Sequence, residues 1–206
     1  MNPYRLETPF VVSFSGGSTS GFMLRKILDA FDGKLPEDGE VIFNNTGLEH
    51  EKTLDFVREV EERWCPVTWL EFQPETRFKV VDYETASREG EPFTAMIDWR
   101  GYLPTPVARI CTVNLKIRCA AAYLLNKGVE EWNNAMGLRY DEPHRVHRMK
   151  GDRKAETTVC PMYEAKHTLK DVDEFWEGQP FQLGIPRWMG NCCGCFLKSR
   201  GRIEKV

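Results

Sequence analysis

An apolar, β-branched run, Phe10-Val11-Val12-Ser13-Phe14, breaks into Ser15-Gly16-Gly17-Ser18-Thr19-Ser20-Gly21, after which Phe22, Met23, Leu24, Ile27, Leu28 and Phe31 recur at helical spacing. This constrains the chain more than any other stretch. The first turn of a helix has no intrahelical partners for its N–H groups, and the helix dipole places partial positive charge there. A strand that turns through paired glycines directly into a helix therefore presents an anion cradle. No Gly-Lys-Ser/Thr closes the turn, and it is not Gly-x-Gly-x-x-Gly, so it is neither a Walker A loop nor a Rossmann fingerprint. A capping turn without a ligand is the plainer alternative.

The same alternation continues. Glu40–Asn44 reads as a second strand, residues 50–63 as a helix and Val67–Phe72 as a third strand, the pattern of βαβ units. Residues 73–110 read as an irregular connector holding Lys79-Val80-Val81. Residues 111–127 read as a helix, Trp132–Leu138 as a strand weakened by its asparagines, Arg139–Arg145 as a charged loop and Thr168–Glu177 as a short helix. The expected fold is α/β, a mostly parallel sheet sandwiched by helices. Residues 1–150 are expected to form the nucleotide-binding domain built around this turn, and residues 151–206 a small cysteine-bearing C-terminal segment packed on it. A chain of 206 residues suffices for one such core. The formal net charge of −3 excludes a global basic field that would drive the whole molecule onto nucleic acid, though a local patch is not excluded. There is no apolar run long enough to span a membrane and no basic-then-apolar leader at the N-terminus, so the expected location is the cytoplasm.

Four further pieces follow the turn in order: Asn45-Thr46-Gly47-Leu48-Glu49, then Arg109-Ile110-Cys111-Thr112-Val113-Asn114-Leu115-Lys116, then Gly137-Leu138-Arg139-Tyr140-Asp141-Glu142-Pro143-His144-Arg145, and last Gly190-Asn191-Cys192-Cys193-Gly194-Cys195-Phe196. Together with the turn, which resembles a PP-loop, they resemble the phosphoadenosine phosphosulfate (PAPS) reductase family of the adenine nucleotide α-hydrolase superfamily, in its phage- and bacteria-borne branch. The resemblance implies an enzyme that binds ATP or an adenylyl sulfonucleotide and acts in sulfur transfer or reduction. It implies a nucleotide site at Ser13, Ser15, Gly16, Gly17, Ser18, Thr19, Ser20, Asn45, Thr46, Gly47 and Gly137, with catalytic roles for Lys116, Arg139 and Arg145. Magnesium, a sulfur donor or reductant protein, an acceptor (nucleic acid among the candidates) and a second copy of the chain complete the implied partners. Thr19 stands where the family pattern carries an acid. That departure supports an alternative, a nucleotide-binding or nucleic-acid-associated partner protein with a structural metal and no turnover of its own.

Seven cysteines need a reading. Cys192-x-x-Cys195 has the spacing of a two-ligand knuckle, with Cys193 as an alternative ligand. Cys111 opens a helix, where a thiolate is stabilised. Cys111, Cys160, Cys192 and Cys195 form the expected ligand set. Related PP-loop proteins make a [4Fe–4S] cluster the implied cofactor; zinc and plain buried thiols are the rivals. Cys65 and Cys119 read as core. His50, His144, His147 and His167 read as surface residues, with His50 placed to reach a nucleotide. The tryptophans, Trp176 and Trp188 included, read as packing a C-terminal subdomain. Lys198, Arg200, Arg202 and Lys205 read as a solvated helix start, with contact to a nucleic acid backbone as the alternative.

Overall fold

The computed structural model describes residues 2–149, 155–186, 188–193, 195 and 201. Lys198, Arg200, Arg202 and Lys205, with Gly194 and Phe196 of the cysteine motif, lie outside the described residues.

The chain forms six strands and seven α-helices among the described residues: β1 (Phe10–Ser13), α1 (Ser18–Ala30), β2 (Gly39–Asn45), α2 (Glu51–Arg63), β3 (Thr68–Glu71), β4 (Lys79–Val81), α3 (Glu91–Arg100), a π-helical segment (Thr112–Ile117) continuing into α4 (Arg118–Asn126), β5 (Trp132–Met136), α5 (Pro143–Met149), β6 (Glu156–Val159), α6 (Pro161–Glu164) and α7 (Leu169–Glu177). The sheet order is β4-β3-β2-β1-β5-β6. β1 pairs in parallel with both β2 and β5, and β5 in parallel with β6, while β4 runs antiparallel to β3. The expected mostly parallel α/β sheet is therefore present. β1 has neighbours on both sides, with Phe10 opposite Gly39 in β2 and opposite Asn133 in β5. The chain order reverses at β1, and such a switch point is where open α/β sheets bind ligands, beyond the carboxyl ends of the strands. No described helix is long and apolar enough to cross a membrane.

Two compact units are built from interleaved segments. The first takes residues 1–42, 56–67 and 129–183, and the second residues 43–55, 68–128 and 184–206. In the first, β1 and the apolar stripe of α1 are buried together, and α7 caps them with aromatic rings. Trp176 packs edge-on against Phe56 at 5.1 Å and stacks on Trp64 at 5.7 Å, with Phe175 and Phe181 beside it. Burial of each such ring is worth about 1.5–3 kcal/mol, so this cluster fixes the C-terminal helix. In the second unit, Phe72, Met96, Ile110 and Leu115 form the centre, with Phe93, Ile97 and Cys111 packed against it.

Several sequence expectations need correction. Residues 73–110 are more than a connector: they contain β4 and α3, a helix entered from left-handed Gly90 with Pro92 in its first turn and closed by left-handed Gly101. Residues 139–145 are only partly a loop, since α5 begins at Pro143. β5 keeps its asparagines because they are bonded. Asn133 donates to the Glu7 carbonyl at 3.0 Å, and Asn134 accepts from Ser13 Oγ at 2.7 Å while donating to buried Glu156 at 3.1 Å. Trp176 packs as expected, but Trp188 is exposed. His167 is not a plain surface residue: Nδ1 lies 2.6 Å from the Tyr4 hydroxyl, and its ring meets Phe22 edge-on at 5.1 Å.

Candidate functional site

In the first unit, the candidate feature is the turn where β1 gives way to α1. Gly16 takes φ +69°, a left-handed turn open to glycine. Gly17 is the N-cap residue in extended conformation, and no side chain caps the helix. Its carbonyl accepts the first helical bond, from Gly21 N at 2.9 Å. No acidic residue sits in the first turn, so an incoming anion meets orphan N–H groups without like-charge competition there.

Ser20 holds this loop in shape. Its hydroxyl donates to the Gly17 carbonyl at 2.9 Å, accepts from the Ser15 amide at 3.1 Å and lies 3.0 Å from Ser15 Oγ. The residue is only 4% exposed. Ser15, Ser18 and Thr19 are more open than Ser20. Below the helix, Gly21 sits against α7: a Cβ there would fall 2.8 Å from Trp176 Cζ2. The Trp176 indole N–H donates to the Ser18 carbonyl at 2.8 Å. The C-terminal helix thus grips the loop's own helical turn.

The exit of β5 borders the same loop. A Cβ on Gly137 would lie 3.3 Å from Ser20 Cα, a tight contact that a side chain there would relieve only by pushing the two backbones apart by a few tenths of an ångström. Arg139 reaches back, its Nη1 donating to Thr19 Oγ1 at 3.4 Å. Asp141 holds Arg139 Nε at 2.9 Å, and Glu142 holds Nη1 at 3.3 Å. Glu142 also pairs with Arg145, whose side chain is otherwise largely open to solvent. The sequence reading placed Arg139 at a strand end; the structure brings it to the loop and shows the two acids that aim it. Arg145 is joined to this constellation through Glu142 and makes no described contact with the loop. Ser13 Oγ is spent on the cross-strand bond to Asn134.

The second unit, described by itself, carries its own motif residues at the end of β2. Asn45 is 0% exposed. Its amide donates to Glu71 Oε1 at 2.7 Å and to the Ser87 carbonyl at 2.8 Å, while its oxygen accepts from Gly47 N at 3.0 Å. Both amide hydrogens are thus committed to holding the turn. Thr46 and Glu49 close on each other: Glu49 accepts from the Thr46 amide at 2.8 Å and from its hydroxyl at 2.8–2.9 Å. Gly47 has φ +75°, and a Cβ there would fall 2.9 Å from Gly90 Cα. Sequence reasoning missed Glu71 and Ser87. Glu71, 3% exposed, also accepts from the Ser87 amide at 2.6 Å and its hydroxyl at 2.9 Å. The available signal was a carboxylate at the end of an otherwise apolar strand, which buried space tolerates only with hydrogen-bond partners.

The Cys-Thr-x-x-Leu-Lys stretch forms the π-helical segment, a rare geometry that is frequent at functional sites. Lys116 is half-buried in it. The C-terminal cysteine segment is tied to the β2 exit: Cys193 N donates to the Leu48 carbonyl at 2.7 Å, His50 N donates to the Asn191 carbonyl at 3.0 Å, and Cys192 bridges Glu49 through the backbone. His50 Nδ1 accepts from the Lys52 amide at 3.1 Å.

Among the described residues no three His, Cys, Asp or Glu side chains are grouped as a metal would need. Cys160 is buried in the first unit beside Leu138 and Val146, whereas Cys111 packs on the apolar centre of the second. Cys119 is core, as expected. Burial, with a smaller contribution from Glu71, pushes its thiol up to about 12, and burial with Glu61 pushes Cys65 up to about 11.

A family model described as the phosphoadenosine phosphosulfate reductase domain matches residues 9–175. An uncharacterized nin region protein of Escherichia phage lambda, ORF290, is 33% identical over 205 aligned positions, which cover 94% of this chain and 67% of that protein. A crystal structure of phosphoadenylyl-sulfate reductase from Candida auris, in a phosphate complex, aligns at TM-score 0.49 and 15% identity over 86% of this chain and 79% of its own.

Proposed function

This chain belongs to the phosphoadenosine phosphosulfate reductase domain family, and from that premise we propose that it binds an adenine nucleotide, ATP or an adenylyl sulfonucleotide, with its phosphates on the loop Ser15–Ser20, and acts in sulfur transfer or reduction. The single observation that carries this reading is the uncapped N-terminus of α1 at the switch point of the sheet, with Arg139 aimed at its first turn. Backbone N–H groups of that turn stabilise charge on a phosphate without reorganising, because the loop's shape is set in advance by Ser20. Arg139 supplies a guanidinium whose orientation is fixed by Asp141 and Glu142. Asn45 and Thr46, named as nucleotide ligands from the sequence, act in this reading by shaping the Gly47 turn, leaving its backbone as the contact. Lys116 and Arg145 are the other cations of the motif set; Lys116 is a point charge for a transferred group. Among the described residues no group of three potential metal ligands is found, and no step is routed through a cluster or zinc.

A second reading is supported by Thr19: a hydroxyl bonded to Arg139 stands in the first turn of α1, where the family pattern carries an acid. On this reading the protein binds the nucleotide without turning it over. One experiment separates the two. Purified protein is incubated with ATP, and in parallel with the 3′-phosphorylated adenylyl sulfate plus a dithiol. Release of AMP and pyrophosphate, or of sulfite and adenosine bisphosphate with oxidation of the dithiol, supports an enzyme. Calorimetric binding of the nucleotide with no release from either mixture supports the binding module. Absence of any nucleotide binding refutes both.

A further inference from the structure

The second unit carries a surface that the nucleotide reading does not use. Between Asp98 and Glu130 the chain contains no acidic residue, yet besides Lys116 it carries Arg100, Arg109, Arg118 and Lys127. In a protein of net charge −3, this is a concentrated reversal of sign. Large apolar groups are exposed along the same stretch: Tyr102 at 43%, Leu103 at 65% and Val107 at 98%. Soluble surfaces seldom leave such groups bare together without a partner.

Aromatic and cationic groups interleave here. The Arg77 guanidinium lies 3.8 Å from the centre of the Trp99 ring, and that of Arg100 lies 5.4 Å from Trp99 and 5.3 Å from Tyr102. Arg100 Nη2 donates to the Tyr102 hydroxyl at 2.7 Å. Trp99 is held from below by Phe72 at 5.8 Å. Arg77 Nη1 and Arg100 Nε are buried and have no hydrogen-bond partner. Unpaired guanidinium donors are costly, and a tetrahedral phosphate, whose oxygen pairs match the planar guanidinium fork, satisfies such donors when the side chains turn outward to it. Arg77 is itself held at φ +73°, a strained backbone for a non-glycine residue. Glu75 and Asp98 are the acids next to these arginines in the chain, and both are exposed.

We infer that the face built by Arg77, Trp99, Arg100, Tyr102 and the loop to Arg109 docks single-stranded nucleic acid. Phosphates pair with the arginines, and unstacked bases lie on Tyr102 and on the guanidinium planes. Aromatic platforms interleaved with cations are how single strands are bound without sequence readout. An acidic peptide satisfies the charge but not the exposed ring, and a duplex keeps its bases stacked away from it.

The test needs no ATP and is independent of the nucleotide site. Fluorescence anisotropy at low salt is read with labelled oligothymidylate and oligouridylate of about 20 nucleotides, a duplex of the same length and a labelled polyglutamate peptide. Expected are binding of single strands in preference to duplex and peptide, and a log–log salt slope near −2, as for about three phosphates. Tyr102→Ala is expected to weaken binding about 5- to 160-fold, and Arg100→Glu at least tenfold. Arg109→Glu, at an exposed position, keeps the test valid if Arg100→Glu does not fold. Comparison of the DNA and RNA arms identifies the natural strand. The inference is overturned if single strands do not bind, if folded variants bind like the parent, or if duplex or polyglutamate binds as tightly as a single strand.

Discussion

Ser20→Ala tests whether the loop is shaped in advance. The substitution deletes one oxygen and no apolar volume, but that oxygen holds the Gly17 carbonyl, the Ser15 amide and the Ser15 hydroxyl at 2.9–3.1 Å. Each intramolecular hydrogen bond is worth about 0.5–1.5 kcal/mol net. Two of the three losses are softened: Ser15 is exposed and finds water, and the Gly17 carbonyl still accepts from Gly21 N. The sum is about 1–2 kcal/mol. For a chain of this length that lowers Tm by about 2–8 °C. If the same bonds hold the anion-binding turn in its bound shape, nucleotide affinity falls roughly 5- to 30-fold, because the ordering cost moves to the binding step. Ser18→Ala is the control, since its hydroxyl makes no described bond within the loop; its Tm is expected to stay within about 1 °C of the parent. Thermal melts and calorimetric titration with ATP read both effects. A Ser20→Ala protein with parental Tm and affinity, or a larger loss of Tm in Ser18→Ala, refutes the reasoning.

Gly21→Ala places a methyl 2.8 Å from Trp176, a ring already fixed by Ser18 and by its aromatic neighbours. Overpacking outweighs the better helix propensity of alanine, and urea titration is expected to show a loss of about 1–2 kcal/mol. Burial, helped by Lys26 and opposed by Asp171, lowers the His167 pKa below its usual 6.5. The unfolded chain therefore takes up the proton first, so stability is held above about pH 6.5 and declines as pH falls below it. His167→Gln is expected to flatten that decline in denaturation midpoints measured from pH 7.5 to 5. Cys119 and Cys65, with thiols raised to about 12 and 11, are expected to resist a thiol reagent at pH 8 in the native protein, while Cys111, Cys192, Cys193 and Cys195 label first; mass spectrometry of the labelled peptides decides.

The first strand, its loop and α1 were legible because the strand is apolar but for Ser13 and the helix has a full apolar stripe, so the period changes sharply at Gly16-Gly17. The reach of Arg139 to the loop followed from its place after a strand. Other features depend on contacts far apart in the chain. β6, Glu156–Val159, is short and polar, and it is a strand because Trp132–Ala135 of β5 offers a parallel partner. α3 was hidden by its flanking glycines and Pro92, which read as breakers but serve as its entry and exit. The buried bonds of Asn45 with Glu71 and Ser87 join residues 26 and 42 positions apart, which no local pattern encodes. The cysteine spacing read as a metal motif, yet spacing says nothing of where Cys160 lies, and packing placed it among Leu138 and Val146.

The central claim is that an adenine nucleotide seats its phosphates on the first turn of α1. Amide NMR of ¹⁵N-labelled protein titrated with ATP, and separately with adenosine, measures this directly. The account predicts that ATP shifts the Gly17, Ser18, Thr19 and Ser20 amides strongly and that adenosine leaves them near their starting positions. Binding of ATP with those four amides unmoved would contradict it.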